Sequence, residues 1–421
     1  MKVLWFSPTP SNYNPENTKS SSGRWISGLE NQIVKYPEID LYIAFHSNGV
    51  EKIIYHKKNN VTYILIPGEV KENKIKRIIL RWKGETYSKY FYHYHMEVIN
   101  EVNPDLIQIF GFEHPFGLIS RKIRTPILIH IQGILNVYKE FYYAGFLKTD
   151  LIFNEKFKDI ILGRGYLHNY TRLLKKANEE EEIIKNIKFF IGRTDFDRRI
   201  VKVINSNGTY FLNNEILNEI FYASVWSKTS FNKTIKLYST TGPSLYKGSD
   251  TIIKCAKILK EIGFKFEWNI AGLEVDTPFF NFLLKKFDNI TESNINFLGK
   301  LDTESIIKNL LNADIFINTS HIENSSNAIQ EAQLIGIPII ASNVGGTPSL
   351  ISDKEDGLLF QSGDYLSLTG AIIELSENFE YAKELGRKAR EKALRRNDPE
   401  TVGKRTIEIY KNVLEHSDKK F

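Results

Sequence analysis

The stretch ADIFINTSHIENSSNAIQEAQLIGIPIIASNVGGTP, residues 313–348, decides the fold. A short apolar strand is followed by small polar residues and by a helical stretch that ends near Gly336 and Pro338. A second apolar strand and Gly345-Gly346 complete the pattern. Strand, loop, helix and strand in this order form one α/β crossover, and open α/β sheets bind ligands at the carboxyl ends of their strands. The stretch therefore predicts a ligand site in an α/β protein.

Two carboxylates, Glu323 and Glu331, lie eight positions apart in this stretch. Taking both as part of the probable helix, eight positions turn the second by roughly 80° about the axis, so the pair shares one broad face near the helix start. Unpaired backbone amides and the positive end of the helix dipole also gather there, which suits a phosphate. The pattern favours a sugar-nucleotide site, although acidic residues in a first helical turn are also ordinary partners of the dipole.

The segment resembles the signature of the family-4 retaining glycosyltransferases of the GT-B fold. That signature runs Ser-x-x-Glu, seven residues, Glu-Ala, Gly-x-Pro, a short strand and Gly-Gly, and the matching positions here are Ser320, Glu323, Glu331, Ala332, Gly336, Pro338, Gly345 and Gly346. The resemblance implies that Glu323 lies near the donor sugar and that Glu331 binds the nucleotide ribose. It also implies an α/β fold of two Rossmann-like domains whose parallel sheets face each other across a cleft.

Length and composition agree with two soluble globular domains. The chain has 421 residues, of which 42% are hydrophobic and 25% charged. One series of apolar strands runs from KVLWFSP to KFFIGRT and a second from IKLYSTT to GLLF, with helical stretches between them. We expect an N-terminal acceptor-binding domain at 1–215 and a nucleotide-sugar-binding domain at 216–395. The resemblance implies that a C-terminal helix, within 396–421, packs back on the first domain.

The resemblance places further donor contacts around the two glutamates. Lys247, before Gly248, matches a Lys-Gly pair that contacts the donor diphosphate, although such a pair is also a common loop ending. The helix amides at Ser326 and Asn327 are expected to bind the same diphosphate. Gly23, in the SSGRW loop, matches a glycine-rich turn near the donor phosphates or the acceptor, and an ordinary strand-to-helix turn is the alternative.

One cation of the family is missing. Relatives carry an Arg five or six residues before the Lys, where this chain has Thr241 and Gly242. Arg24 and Arg193 are candidates to neutralise the charge of the leaving phosphates in its place. A weak or inactive relative is the other interpretation.

The expected catalytic residues of the first domain lie in two strand-ending loops. Many relatives have a His where this chain has Gln132, and His130 stands two residues earlier. Gln cannot act as a general base, but it can hydrogen-bond a sugar hydroxyl, which fits retaining transfer in which the leaving phosphate takes the acceptor's proton. Glu113 would bind the acceptor hydroxyl or stabilise positive charge at the anomeric carbon, unless it only caps its loop.

Other classes of site receive little support from the sequence. Asp195-Phe196-Asp197 has the spacing of a metal-binding motif, but Thr194 precedes it as in a helix cap, so we expect capping and no metal. The single Cys255 excludes a disulfide framework. The net charge of +6 is too small and too spread to indicate nucleic acid. We expect no cofactor, with the nucleotide sugar, a UDP-sugar, as substrate.

One basic stretch, KENKIKRIILRWKGE, places apolar residues at helical spacing among lysines and arginines. This pattern is typical of an interfacial helix on an anionic membrane, and equally of a solvated helix packed on its own domain. The N-terminal apolar run is too short for a signal peptide, and no segment approaches the roughly 20 apolar residues of a spanning helix. We therefore expect a cytoplasmic protein, in solution or at the cytoplasmic face of the membrane.

These observations predict a retaining glycosyltransferase that moves a sugar from a nucleoside-diphosphate donor to a glycan or lipid-linked glycan, in the synthesis of a cell-surface polysaccharide. Two alternatives stay open. One is a catalytically silent GT-B subunit that binds glycan or a partner enzyme, and the other is a nucleotide-sugar epimerase.

Overall fold

The computed structural model describes residues 1–14, 24–85, 88–288, 290 and 293–418. Gly23 lies outside these residues. The chain forms two compact units: unit 1 contains Met1–Lys139, Ile161–Asn218 and Asn397–Phe421, and unit 2 contains Glu140–Ile160 and Glu219–Arg396.

The strands, in chain order, are β1 (Lys2–Phe6), β2 (Asp40–Ser47), β3 (Ile54–Lys58), β4 (Val61–Pro67), β5 (Leu106–Phe110), β6 (Ile127–His130), β7 (Phe189–Gly192), β8 (Thr209–Leu212), β9 (Ile235–Thr240), β10 (Phe266–Ala271), β11 (Ile295–Gly299), β12 (Ile315–Asn318), β13 (Ile339–Ser342) and β14 (Leu358–Phe360).

The α-helices are α1 (Arg24–Ile33), α2 (Lys74–Trp82), α3 (Ser88–Val102), α4 (Leu135–Tyr138), α5 (Lys148–Asn154), α6 (Phe157–Ile161), α7 (Tyr166–Asn186), α8 (Asp195–Ile204), α9 (Glu219–Ala223), α10 (Ser249–Glu261), α11 (Pro278–Lys286), α12 (Thr303–Asn312), α13 (Asn327–Ile335), α14 (Thr347–Leu350), α15 (Tyr365–Glu377), α16 (Phe379–Arg396) and α17 (Pro399–Asp418). Short 3-10 helices cover Pro115–Arg121, Lys139–Phe141 and Leu245–Lys247.

Unit 1 is built on an eight-stranded sheet of order β3-β4-β2-β1-β5-β6-β7-β8. All neighbouring strands are parallel except β3, which is antiparallel to β4. Strands β5, β6 and β7 are buried along their whole length, as expected for a parallel sheet that helices cover on both faces. The strand order reverses between β1 and β5, so the loops after these two strands diverge and leave a crevice.

Unit 2 is built on a six-stranded parallel sheet of order β11-β10-β9-β12-β13-β14. Its first strand, β9, lies in the middle, and the order reverses between β9 and β12. The loops that follow β9 and β12 therefore diverge at the carboxyl edge of this sheet. The α/β architecture with two such sheets is the one that the sequence predicts.

The C-terminal helix α17 belongs to unit 1. The hydroxyl of Tyr410 accepts a hydrogen bond from Trp5 Nε1 at 3.0 Å and donates one to Gln108 Oε1. Trp5 lies on β1 and Gln108 on β5, and all three side chains are buried. The helix therefore joins the core beside the centre of the first sheet.

The compact units differ from the predicted domain bounds mainly in one segment, with smaller shifts at residues 216–218, which group with unit 1, and at Arg396, which groups with unit 2. Residues 140–160 lie within the predicted first domain, but in the structure they group with unit 2. Phe146 packs edge-on against Phe282 of α11 at 5.3 Å between ring centroids, and Asp150 forms an ion pair with Lys286. These contacts join sequence-distant residues, so local patterns in the sequence do not reveal them.

Two strands, β3 and β8, were not predicted. Every residue of β3 is exposed, and β8 is buried at none of its residues, because each forms an edge of the sheet. Neither strand has the strict alternation of a half-buried strand, and neither has more than three apolar residues in a row, fewer than the roughly four to eight of a buried strand. Within the described part of the chain, no helix combines the length and the apolar character needed to cross a membrane.

Candidate functional site

Glu323 lies in the loop between β12 and α13, and not on the helix. Helix α13 begins at Asn327, and the side chain of Ser326 caps it by accepting a hydrogen bond from the amide of Ile329 at 3.4 Å. Only Glu331 is helical. The prediction that both glutamates share one helix face is therefore wrong, because the cap starts the helix three residues after Glu323.

A salt bridge connects the loops that follow β9 and β12. Lys247 Nζ lies 2.6 Å from Glu323 Oε2, and Ser320 Oγ donates to the same oxygen at 3.3 Å. Burial by itself would lower the pKa of Lys247, but the neighbouring Glu323 carboxylate raises it above its ordinary value. Lys247 therefore remains a cation beside a buried carboxylate at the point where the strand order reverses.

Two glycines allow these loops to approach closely. Gly248 has a φ of +76°, and a Cβ there would lie 1.9 Å from Thr319 O. Gly345 has a φ of +48°, and a Cβ there would lie 2.0 Å from the carbonyl oxygen of Glu323, which also accepts a hydrogen bond from Gly346 N at 3.0 Å. The backbone of the Glu323 loop is thus held independently of its carboxylate.

The start of α13 and Glu331 are the remaining parts of the candidate site in unit 2. Ser326 is the capping residue and Asn327 the first helical residue, so the amides of this turn lie at the positive end of the helix dipole. Glu331 is half-buried on the same helix. Burial, and then the charge of Glu331, raise the pKa of Tyr238 on β9. A cation, helix amides and two carboxylates can bind a phosphate next to sugar hydroxyls.

A buried pair that the sequence analysis missed supports the same loops. His321 Nε2 lies 2.8 Å from Asp250 Oδ1, and His321 Nδ1 lies 3.0 Å from Ser362 Oγ. Burial would raise the pKa of Asp250, but the hydrogen bonds from His321 and Lys254 lower it. The backbone amide of His321 also donates to Tyr246 O at 2.7 Å, which joins the two loops.

The sequence does carry a signal for this pair. Asp250 follows Lys247 by three residues, and His321 precedes Glu323 by two. Pairing them, however, requires knowledge that β9 and β12 are neighbours.

In unit 1 the structure brings Glu113 and Gln132 together at the carboxyl ends of β5 and β6. Glu113 Oε1 accepts a hydrogen bond from Gly133 N at 3.2 Å, and Lys176 Nζ donates to Glu113 O at 3.0 Å. Burial raises the pKa of Glu113. Gly111, with a φ of +81°, lies between them: a Cβ there would be 2.1 Å from Glu113 Oε2 and 3.2 Å from Gln132 Cγ.

Arg193 has a structural role in unit 1. Its guanidinium forms a buried ion pair with Glu215 and donates to Gln132 O at 3.0 Å. An arginine with these two contacts is not available as a second cation for phosphates, so Arg193 does not replace the family's arginine. The side chain of Arg24 lies outside the described residues.

His130 is a core residue of unit 1. Its ring lies 5.1 Å from that of Trp25 and 5.8 Å from that of Phe110. Burial, and then the charge of Arg193, lower its pKa well below the ordinary value. His130 is therefore neutral and packed among aromatic rings.

The Asp195-Phe196-Asp197 motif caps a helix, as predicted. Thr194 Oγ1 accepts from Asp197 N at 3.2 Å, and the Asp197 carboxylate accepts from Thr194 N at 3.3 Å, which makes a capping box at the start of α8. Asp195 pairs with Arg198 at 2.8 Å. Across the described ranges, no group of three or more His, Cys, Asp or Glu side chains is arranged to hold a metal ion.

Comparison with known proteins relates the second unit to one family. Residues 228–392 match the family model described as glycosyl transferases group 1. The N-acetyl-alpha-D-glucosaminyl L-malate synthase of Bacillus anthracis is 29% identical over 166 residues, which are 39% of this chain and 42% of that protein. The amylovoran biosynthesis glycosyltransferase AmsK of Erwinia amylovora is 26% identical over 157 residues, 36% of this chain and 38% of that protein. The matches thus span about two fifths of the length of these curated relatives.

A solved structure extends the likeness to the whole chain. HepE of Anabaena, in complex with UDP-glucose, superposes with a TM-score of 0.68 at 14% identity, and the match covers 98% of this chain and 100% of that one. At this identity the likeness concerns the fold. The chain therefore has the GT-B fold, and its residues 228–392 match the model of the glycosyl transferases group 1 family.

Proposed function

We propose that the protein is a retaining glycosyltransferase that transfers a sugar from a UDP-sugar to a glycan or lipid-linked glycan, in the synthesis of a polysaccharide. The observation that carries the proposal is the Lys247–Glu323 pair beside the start of α13, within the segment that matches the family. The name of the Erwinia relative, which refers to amylovoran biosynthesis, supports a polysaccharide product.

Each group of the unit 2 site has a proposed role toward the donor. Lys247 and the amides at Ser326 and Asn327 bind the diphosphate, since an ammonium and a helix start both favour negative charge. Glu331 accepts hydrogen bonds from the ribose hydroxyls. Glu323 accepts from hydroxyls of the sugar, and its salt bridge to Lys247 keeps both groups in place before the donor binds.

The proposed reaction needs no side-chain base. The bond between the anomeric carbon and the diphosphate oxygen breaks, and the acceptor oxygen bonds to the same face of that carbon. The acceptor's proton passes to the leaving phosphate oxygen, so the products are the glycoside and UDP. Lys247 and the helix amides stabilise the charge that develops on the phosphate. In unit 1, Glu113 and Gln132 are proposed to bind acceptor hydroxyls.

The test uses the purified full chain and a panel of UDP-, GDP- and dTDP-sugars, with and without glycan acceptors. We expect one UDP-sugar to raise the melting temperature and to be converted to UDP. NMR of the product should show the anomeric configuration of the donor, and EDTA should leave the rate unchanged if no metal takes part.

Other outcomes select the alternatives. If no donor is turned over and none raises the melting temperature, the enzyme proposal fails and a silent subunit is favoured. That alternative has one specific observation behind it: Thr241 and Gly242 occupy the positions of the family's arginine, and Thr241 Oγ1 donates to Lys247 O at 3.2 Å. A changed sugar without any acceptor would instead indicate an epimerase.

A further inference from the structure

Helix α2 of unit 1 exposes its apolar side. None of its residues is buried, and the exposed fractions are 72% for Ile75, 48% for Ile79 and 52% for Trp82. At 100° per residue these three side chains lie within about 60° of one another on the helix surface. Scattered exposed apolar residues are ordinary, but three on one helix face form a continuous apolar stripe.

Basic residues border this stripe. Lys74 is exposed on one side of it, and Lys76 lies on the other, paired with Glu72 at 2.5 Å. Lys83, directly after the helix, is also exposed. Helix α2 itself contains no acidic residue. The surface is therefore apolar in the middle and positive at its edges.

Contacts at both ends fix the orientation of α2. Asn73 caps its start by accepting a hydrogen bond from Lys76 N at 2.8 Å. At the other end Trp82 Nε1 donates to Ile161 O at 2.9 Å, and the Trp82 ring lies edge-on to His168, with 4.3 Å between centroids. Ile161 is itself 48% exposed and extends the apolar stripe. A helix packed on its own domain would bury this stripe, whereas here the contacts hold it toward solvent.

We propose that α2 is a docking surface for an anionic lipid bilayer, with Ile75, Ile79 and Trp82 inserted at the level of the headgroups. The argument is charge complementarity combined with apolar exposure. Anionic headgroups attract the bordering lysines, and the acyl boundary accepts the apolar stripe. A soluble polyanion would use the cations and leave the isoleucines in water. This inference does not depend on glycosyl transfer.

The test measures sedimentation of the full chain with phosphatidylcholine vesicles that contain phosphatidylglycerol. We expect binding to these vesicles and little to pure phosphatidylcholine. The double variant Ile75→Asp/Ile79→Asp should bind about tenfold more weakly or worse. Lys74→Glu/Lys83→Glu should lose a similar factor, since each basic residue near an anionic surface contributes about 1 kcal/mol, and two of them about tenfold or more.

Val203 provides the matched control, because it is 85% exposed on α8 of the same unit. Val203→Asp should bind the vesicles as the unchanged protein does. Quenching of tryptophan fluorescence by brominated lipids should fall sharply in Trp82→Phe. The proposal is overturned if the isoleucine variant binds as well as the unchanged chain, if Trp82→Phe leaves the quenching intact, or if the vesicles are not bound at all. Melting temperatures near that of the unchanged chain establish that the variants are folded.

Discussion

Glu323 is held in two independent ways. Its carboxylate pairs with Lys247 and accepts a hydrogen bond from Ser320, while its carbonyl oxygen accepts a hydrogen bond from Gly346 N. The loop therefore keeps its backbone path when the carboxylate is changed, which separates the chemistry of this residue from its role in folding.

Glu331→Gln and Glu323→Gln should affect different kinetic constants. A carboxylate that binds ribose contributes to the ground state and the transition state alike, so we expect Glu331→Gln to raise KM for the donor with little change in kcat. A charged hydrogen bond is worth ~1.5–3 kcal/mol, which corresponds to about tenfold or more in KM. Glu323→Gln should mainly lower kcat. Steady-state kinetics with the accepted UDP-sugar measures both constants.

The control for these two variants is Glu374→Gln, which changes an exposed carboxylate on α15 of the same unit. It should leave both constants unaltered. Equal losses of melting temperature in Glu323→Gln and Glu331→Gln, with no difference in kinetics, would show that the pair is structural.

Glu180 predicts a pH dependence of stability. It is buried on α7 and accepts hydrogen bonds from the amides of Leu135 and Asn136, and burial raises its pKa from 4.5 to about 7. Between these values the folded state binds more protons than the unfolded state, so the free energy of unfolding falls as the pH rises. Urea unfolding at about pH 5 and about pH 8 should show this fall, with a slope of at most about 1.4 kcal/mol per pH unit from this group.

In Glu180→Gln the side chain does not ionise, so the free energy of unfolding should fall less between about pH 5 and about pH 8. Glu182→Gln, at an exposed position on the same helix, should retain the pH dependence of the unchanged protein. If the profiles of Glu180→Gln and Glu182→Gln coincide, the Glu180 carboxyl does not carry the effect.

At the scale of elements, the sequence predicts buried strands well and helix starts less well. The strands with apolar runs were all expected, because burial on both faces leaves a continuous apolar segment. The polar residues 324–327 lie between strand and helix, where the sequence places them, and α13 begins at Asn327; the error was to count Glu323, which precedes this stretch, as helical.

The effect of removing the cap of α13 can be compared with the effect of removing an equivalent cap in the same unit. Ser326→Ala removes the hydrogen bond to Ile329 N, and losing such a cap costs ~1 kcal/mol. Because the capped turn carries the amides at Ser326 and Asn327 that are proposed to bind the diphosphate, nucleotide binding should weaken as well. Thr277→Ala removes the equivalent cap of α11, where Thr277 Oγ1 accepts from Phe280 N at 3.2 Å. The two variants should lose similar stability in urea, but only Ser326→Ala should bind UDP more weakly by calorimetry. Equal UDP affinity in both variants would show that the amides of α13 do not bind the nucleotide.

For the whole molecule, the fold was predictable and the grouping of its segments was not. Alternating strands and helices indicate two α/β sheets from the sequence alone. The assignment of residues 140–160 to unit 2 depends on contacts such as Phe146 with Phe282, between residues far apart in the chain. The pairing of His321 with Asp250 has the same origin. Such pairs become visible only when the strand order is known.

The last prediction concerns the hydrogen bonds that attach α17 to the sheet of unit 1. Tyr410→Phe removes the hydroxyl that joins Trp5 on β1 to Gln108 on β5, and each buried group left unpaired costs ~1–3 kcal/mol. Tyr238→Phe in unit 2 is the matched control, since its buried hydroxyl has no hydrogen-bond partner among the described residues, and it should be nearly neutral.

Hydrogen exchange followed by mass spectrometry resolves the two units separately. Amides of β1 and β5 should exchange faster in Tyr410→Phe, while those of β9 and β12 should keep their rates, because the lost bonds lie in the first core alone. Faster exchange in β9 and β12 to the same extent would mean that the units open together. Unchanged exchange in β1 and β5 would mean that packing of α17, through buried residues such as Val402, Ile409 and Val413, holds the helix without this hydroxyl.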